Sequence, residues 1–235
     1  MSTISFNRIS IIIPVLNEAS VIGKLLEHIN GNTTSTQIQE ILIVDGGSED
    51  NTVEISKKFG AKIIHSKKGR AAQMNTGAKH ASGAVLYFLH ADTIPPKNFD
   101  KIILEAHANG YETGCFRMQF DSKNIVLRSF AYLSRINHTL CRGGDQSLFI
   151  TKSLFEAQKG FDENYMIYED SEFIQRLYQT TQFIVLPQKV VTSARKYREK
   201  GWLNVQFHFG MIHLKNYLGA GPEELYSYYS KKLLT

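Results

Sequence analysis

A histidine and a carboxylate two residues apart, His90 and Asp92, follow the apolar run Val85-Leu86-Tyr87-Phe88-Leu89 and precede Thr93 and the Pro95-Pro96 breaker. Side chains alternate along extended backbone, so both should point the same way, and an imidazole beside a carboxylate can hold a divalent cation such as Mn2+. Asp92 can equally cap the next helix. Two further apolar runs end in polar groups, Asn17-Glu18 and Asp45-Gly46-Gly47-Ser48. Carboxylates such as Glu18 and Asp45 suit hydrogen-bond donors, for example a base imide N–H or ribose hydroxyls, while Gly46 and Gly47 let a ring approach the backbone. Helix capping is the alternative for Asp45. In the second half, Tyr168-Glu169-Asp170 sets two carboxylates ahead of a helical pattern. Adjacent carboxylates can raise one pKa toward what a general base needs. An acidic helix N-terminus favoured by the helix dipole is the commoner alternative.

Familiar catalytic signatures are missing. The sequence has no Gly-x-x-x-x-Gly-Lys-Ser/Thr, no Gly-x-Gly-x-x-Gly after the first strand, no His-Glu-x-x-His and no Ser/His/Asp grouping. The helix after Gly47 starts with Glu49 and Asp50, which would repel a phosphate there. Arg70, ahead of the next helix, and a cation on Asp92 are the available means of neutralising phosphate charge.

The elements that must position these residues alternate along the first ninety-odd residues. Strand patterns at 9–13, closed by Pro14, and at 41–44, 61–65 and 85–89 are separated by helical spacing over 21–29, 53–59 and 71–81. Short strands with helical connections imply an α/β fold with a mainly parallel sheet, covered by helices on both faces. Strand carboxyl ends then lie along one edge, which brings the first three polar groups to one crevice. After Pro96 the pattern predicts helices at 99–107 and 125–137, strands at 114–120 and 147–151, a helix after Asp170, and strands at 183–186 and 190–193. The tail from Trp202 is helical, with Leu203, Phe207, Met211, Leu214 and Leu218 on one stripe that Val205, Phe209 and Ile212 broaden. Such a stripe should pack on the body, although an aromatic face beside Lys and Arg can also rest on a membrane.

With 43% apolar and 21% charged residues in 235, the composition is that of an ordinary globular protein. The net charge of +5 suits an anionic ligand and is too mild to require nucleic acid. Cys115 and Cys141 are too few and too far apart for a disulfide framework or zinc site, and read as free thiols in a reducing cytosol. No leader and no apolar run of membrane-spanning length is expected, which points to a cytoplasmic protein, peripheral at most at the inner face of a membrane.

Taken in order, Ile11-Ile12-Ile13-Pro14-Val15-Leu16-Asn17-Glu18, Ile43-Val44-Asp45-Gly46-Gly47-Ser48-Glu49-Asp50-Asn51-Thr52, Gly69-Arg70-Ala71-Ala72-Gln73-Met74-Asn75, His90-Ala91-Asp92 and Tyr168-Glu169-Asp170 resemble the family 2 glycosyltransferases of the GT-A fold. With Gly144-Asp145-Gln146 and Ser193-Ala194-Arg195, the chain is similar to a small bacterial subgroup linked to arsenosugar biosynthesis. The resemblance implies one GT-A domain over 1–235, with a nucleotide-sugar-binding half at 1–95, an acceptor half at 96–200 and a helical tail at 201–235. It implies a nucleotide-diphospho-sugar donor, UDP-linked, bound by Pro14, Val15, Asn17, Glu18, Asp45, Gly46, Gly47, Arg70, His90, Ala91 and Asp92. Gly144, Asp145, Gln146 and Glu169 match acceptor-side positions, and Asp170 matches the catalytic base. Asp92 matches the metal-binding aspartate of the Asp-x-Asp motif, for Mn2+ or Mg2+. His90 stands in place of that motif's first aspartate and makes a weaker ligand. Arg195 and Arg198 are expected to close over the diphosphate. The resemblance implies inverting transfer to a small or lipid-linked acceptor. A polyprenyl-phosphate acceptor, a sugar-1-phosphate nucleotidyltransferase and a non-catalytic nucleotide-sugar-binding regulator are the competing readings.

Overall fold

Isoleucine-rich and β-branched runs form the core strands, and Gly, Pro and Asn punctuate them. A computed structural model of the chain describes residues 8–34 and 36–234. The start of the chain, where no leader is expected, lies outside the described residues. The elements are β1 (Ile9–Val15), α1 (Ile22–Asn32), β2 (Ile38–Asp45), α2 (Thr52–Lys58), β3 (Lys62–His65), α3 (Arg70–His80), β4 (Val85–Phe88), β5 (Thr93–Ile94), α4 (Phe99–Ala108), β6 (Thr113–Phe120) and α5 (Ile125–Leu133). After two short turns of tight helix come β7 (Leu148–Thr151), α6 (Lys152–Ala157), α7 (Glu169–Thr180), β8 (Phe183–Thr192), α8 (Arg195–Lys200), α9 (Trp202–Tyr217) and α10 (Pro222–Tyr229).

All eight strands join one sheet in the order β3-β2-β1-β4-β7-β6-β8-β5. The pairs β3–β2, β2–β1, β1–β4 and β6–β8 are parallel, and β4–β7, β7–β6 and β8–β5 are antiparallel. The expected mixed, mainly parallel sheet with a C-terminal helical region is therefore present. Its parallel half is buried on both faces, as apolar strands such as Ile9–Val15 require. One face packs on α1 and α4 through Leu25, Leu26, Phe99 and Ile103, and the other on α3 and α7 through Met74, Phe173 and Leu177. Helix α3 lies so near β1 that a Cβ on Gly77 would sit 2.5 Å from a methyl carbon of Ile12.

Several boundaries differ from expectation. β1 continues through Pro14, which a central strand ordinarily excludes for lack of an N–H. Its nitrogen faces the β4 side, where pairing has already ended at Ile12 opposite Phe88, so no ladder bond is lost. The strands expected at 183–186 and 190–193 are one strand, β8, whose register shifts opposite Phe116 and Arg117 and leaves Pro187 and Gln188 unpaired. On α9 the stripe expected to pack faces outward: Leu203, Phe207, Leu214 and Leu218 are exposed, while Val205 and Ile212 are buried against Leu225, Tyr229 and Leu233. The C-terminal segment folds back on α9 and selects the face opposite to the longer stripe.

Candidate functional site

Strand order reverses where β1 parts from β4, the place where open α/β sheets form ligand crevices. The segments leaving these strands line a cavity of about 890 Å³: Pro14, Val15, Leu16 and Glu18 from β1, and His90, Ala91 and Asp92 from β4. His90 and Asp92 are not on a strand tip as expected. β4 stops at Phe88, and the backbone turns, with the Thr93 N–H donating to the His90 carbonyl at 3.1 Å. Both residues nevertheless reach the cavity.

Arg70 is the first residue of α3 and enters the cavity from that helix's N-terminus. Opposite it, Tyr168 takes a left-handed conformation, φ 72°, uncommon for a non-glycine residue, and this turn delivers Glu169 and Asp170 at the start of α7. The Tyr168 hydroxyl fixes the turn by bonding His213 Nδ1 at 3.0 Å and accepting from Gln175 Nε2 at 3.1 Å. Arg70 lies 3.4 Å from the buried Glu169 carboxylate, whose other oxygen has no partner. Burial opposes the charge on Arg70, but Glu169, Asp170 and Asp145 more than offset this and hold its pKa above the ordinary value. Burial, reinforced by Glu169, holds the Asp170 pKa well above the usual carboxylate range even with Arg70 present. His90 sits between Asp170 (3.7 Å) and Asp145 (3.9 Å), and burial, followed by Arg70, pushes it down to about 3, so the ring is neutral at physiological pH.

At the mouth, Arg195 of α8 lies 3.6 Å from Glu18 across the cavity. Burial raises the Glu18 pKa, with Arg195 opposing and Asp92 adding to the rise. Arg198 points away and pairs with Asp121 at 3.0 Å, outside the cavity. Met118, Phe120, Phe130, Leu133, Tyr197 and Phe209 give the remaining wall an apolar stretch, beside which Lys196, Glu199 and Lys200 are polar.

The expected metal can be tested against this donor set. Among the described residues no three or more His, Cys, Asp or Glu side chains group as a metal cage. Asp92 on the cavity wall, with its charge felt by Glu18 and Asp145, is the donor type that suits Mg2+ or Mn2+ bound through one carboxylate and a substrate's phosphates. The residues fit a cation carried by the ligand. His90 is directed to Asp145 and Asp170 and has no direct contact with Asp92.

Of the expected site residues, Pro14, Val15, Glu18, Arg70, His90, Ala91, Asp92, Asp145, Gln146, Glu169 and Asp170 share the cavity. Asn17, Asp45, Gly46 and Gly47 do not line it. Asp45 is buried, and hydrogen bonds from Ser48 and Gly47 hold its pKa low in spite of that burial, so its carboxylate organises its own loop. Asn17 joins the same loop by accepting from the Glu49 N–H at 2.8 Å. Gly46 makes room for a side chain, because a Cβ there would sit 3.1 Å from the amide of Gln73. Gln73 itself, quoted above only as part of a motif, donates through Nε2 to the carbonyls of Val15 and Val44, both at 2.8 Å, and ties the ends of β1 and β2 beneath the cavity. Its signal in the sequence is a lone amide on the buried face of an alanine-rich helix. The apolar wall had no local signal, since distant segments build it.

The description "Glycosyl transferase family 2" matches residues 10–158, more than half of the chain. The glycosyltransferase AglE of Haloferax volcanii is 40% identical over 101 residues, covering 40% of this chain and 33% of AglE. The chain spans between 31% and 57% of the length of the first curated relatives it matches. Among solved structures, the Pyrobaculum calidifontis mannosyltransferase PcManGT, in complex with GDP-Man and Mn2+, superposes with a TM-score of 0.70 at 17% identity, over 94% of this chain and 69% of that one. S. aureus TarS in complex with UDP-GlcNAc gives 0.67 at 20% identity, over 79% of this chain and 58% of TarS. At these identities the structural likeness establishes the fold.

Proposed function

Because this chain belongs to glycosyltransferase family 2, we propose that its cavity binds a nucleotide-diphospho-sugar, UDP-linked, and that the sugar passes to an acceptor hydroxyl with inversion at the anomeric carbon. The observation that carries this reading is the meeting of Arg70 and Asp170, from opposite halves of the chain, in one cavity at the β1–β4 crevice. The nucleoside rests against Pro14, Val15 and Glu18, and Arg70 draws the diphosphate toward the N-terminus of α3. Asp45 and the residues around it shape this seat from behind. Residues 1–95 thus serve the donor and 96–200 the acceptor, with the tail closing the acceptor side.

In the reaction, Asp170 takes the proton of the acceptor hydroxyl while its oxygen attacks the anomeric carbon, and the bond from that carbon to the diphosphate breaks. A base with an upward-shifted pKa holds the proton better than an ordinary aspartate would, and Arg70 opposes part of that rise. The Arg70 guanidinium also faces the charge that grows on the departing diphosphate. Asp92, with His90 as a weaker donor, would hold Mn2+ or Mg2+, which when bound would supply further neutralisation of that leaving group. Glu169 and Asp145 border the acceptor, and the Gly144-Asp145-Gln146 loop and Ser193-Ala194-Arg195 support the bacterial arsenosugar-type subgroup as its neighbourhood. We assign the protein to the cytoplasm.

One observation favours a second acceptor class. The apolar wall formed by Met118, Phe120, Phe130 and Leu133 suits a polyprenyl phosphate, whose phosphate oxygen attacks with little need of a base. Asp170→Asn separates the two readings. With a hydroxyl acceptor it loses roughly 10²–10⁴-fold in transfer while nucleotide affinity stays within a few-fold. Calorimetric titration of UDP and GDP with and without Mn2+, on wild type and Asp92→Ala, supplies the binding arm. Wild-type transfer by Asp170→Asn would remove Asp170 from the role of base, and no nucleotide binding under any condition would remove the donor reading altogether.

A further inference from the structure

We propose that the protein docks on an anionic lipid surface through the outward faces of α5, the turn that follows it, and α9. Large exposed apolar side chains are concentrated there. Of thirteen such residues among those described, six lie between Ile125 and Leu140 and five between Leu203 and Leu218. Exposure reaches 76% at Ile125, 71% at Leu140, 66% at Leu203 and 62% at Phe207, too high for a helix face that has found its partner within the chain.

The two segments meet at the start of α9. The inner face of α5, Leu127 and Ala131, packs with Tyr197 and Trp202 at the junction of α8 and α9, which joins α5 to the beginning of the exposed helix. Their charge is one-sided. No Asp or Glu occurs from residue 122 to 144 or from 200 to 222, whereas Lys123, Arg128, Arg135, Lys200 and Lys215 fall within these spans. Lys123, Arg128 and Arg135 are exposed, with Arg135 stacked over the Tyr132 ring at 3.5 Å.

Lys215 is paired with Glu224 at 2.6 Å, and Asp121, Glu199 and Glu223 stand at the ends of the spans, but the apolar and aromatic surface between them carries only basic charge, the pattern of a helix face that lies in a bilayer interface and is drawn to anionic headgroups. A second copy of the chain is the poorer occupant, because a two-fold interface on this patch would bring its basic borders together. Docking itself does not depend on the transferase reading. One consequence does rest on that reading: Phe130, Leu133 and Leu140 also line the cavity, so a docked molecule would offer its acceptor side to the lipid.

Vesicle sedimentation tests the proposal without any activity readout. The full chain should bind phosphatidylcholine vesicles containing ~30% phosphatidylglycerol at least about fivefold better than phosphatidylcholine alone, with the difference falling at high salt. Leu203→Ser/Phe207→Ser, and separately Ile125→Ser, should each lower that binding severalfold while thermal melting stays as in wild type, since these side chains are already in water. Equal and negligible sedimentation with both vesicle types overturns the proposal, as does a stable wild-type dimer by light scattering that Phe207→Ser turns into monomer. Nucleotide titration on the same preparations keeps a failure of docking distinct from a failure of the donor site.

Discussion

Replacing Gln73 by methionine keeps the length and most of the volume of a buried side chain while removing both donors that reach the Val15 and Val44 carbonyls. The Val15 carbonyl retains a second partner, the Gly46 N–H at 3.0 Å, so the loss is that of two hydrogen bonds, with no fully orphaned acceptor. Each is worth about 1 kcal/mol net, giving about 2 kcal/mol for the pair. In a chain of this size that corresponds to a fall in melting temperature of roughly 4–8 °C. Gln73→Glu should be worse, since a carboxylate would face two carbonyl oxygens, and it should recover toward the methionine variant as acid protonates it. Urea unfolding of the three proteins, at neutral and mildly acidic pH, measures both effects. If Gln73→Met matched wild type within about 0.5 kcal/mol, or if Gln73→Glu showed no pH-dependent excess, the tie between the strand ends would have no energetic content.

Two further outcomes follow from buried polar groups. Burial disfavours the Glu40 carboxylate, yet bonds from Lys62, Ser82 and Ser10 hold its pKa down at about 2. A pKa depressed below the unfolded value stabilises above the unfolded pKa and loses its effect as pH falls toward the folded one, so about 3 kcal/mol should disappear between pH 4.5 and 2. Melting curves through that range should fall less steeply for Glu40→Gln than for wild type; parallel curves would contradict the pairing. Tyr168→Phe removes the bonds to His213 and Gln175 but leaves the left-handed turn, and should lower stability by about 2 kcal/mol while reducing kcat of the proposed transfer with nucleotide Kd unchanged. An equal loss in binding and turnover would mean that Tyr168 supports the cavity as a whole rather than the placement of Asp170.

The parallel half of the sheet was legible because each strand is a short apolar run closed by polar or turn residues, and the convergence of Glu18 and Asp92 follows from strand direction. A carboxylate at a strand end such as Asp45 has the same appearance in the sequence whether or not it also organises its own loop, and the bonds from the N–H groups of Gly47 and Ser48 were not legible there. Gly46 was read as space for a ring, and the occupant is Gln73, contributed by a helix more than twenty residues away. On α9 periodicity located a helix and two apolar faces but could not say which is buried. That choice is made by Leu225, Tyr229 and Leu233, whose return path no local pattern encodes. His90 and Asp92 reached the expected cavity by a different backbone geometry, since two residues beyond Phe88 are enough for the chain to turn.

Pro14 gives the crevice a property that folding contacts alone would not. The last link between the two strands is the Leu89 N–H on the Ile12 carbonyl, and the next position on that flank of β1 has no hydrogen to offer. The seam beyond that point can draw only on the Pro14 carbonyl as an acceptor, so its continuation is weakened. A slot biased open by covalent structure leaves an incoming molecule lips already spaced, and less of its binding energy goes into reorganising them. A residue able to donate at position 14 would allow the seam to creep toward Asp92, and the loss would show first as slower association.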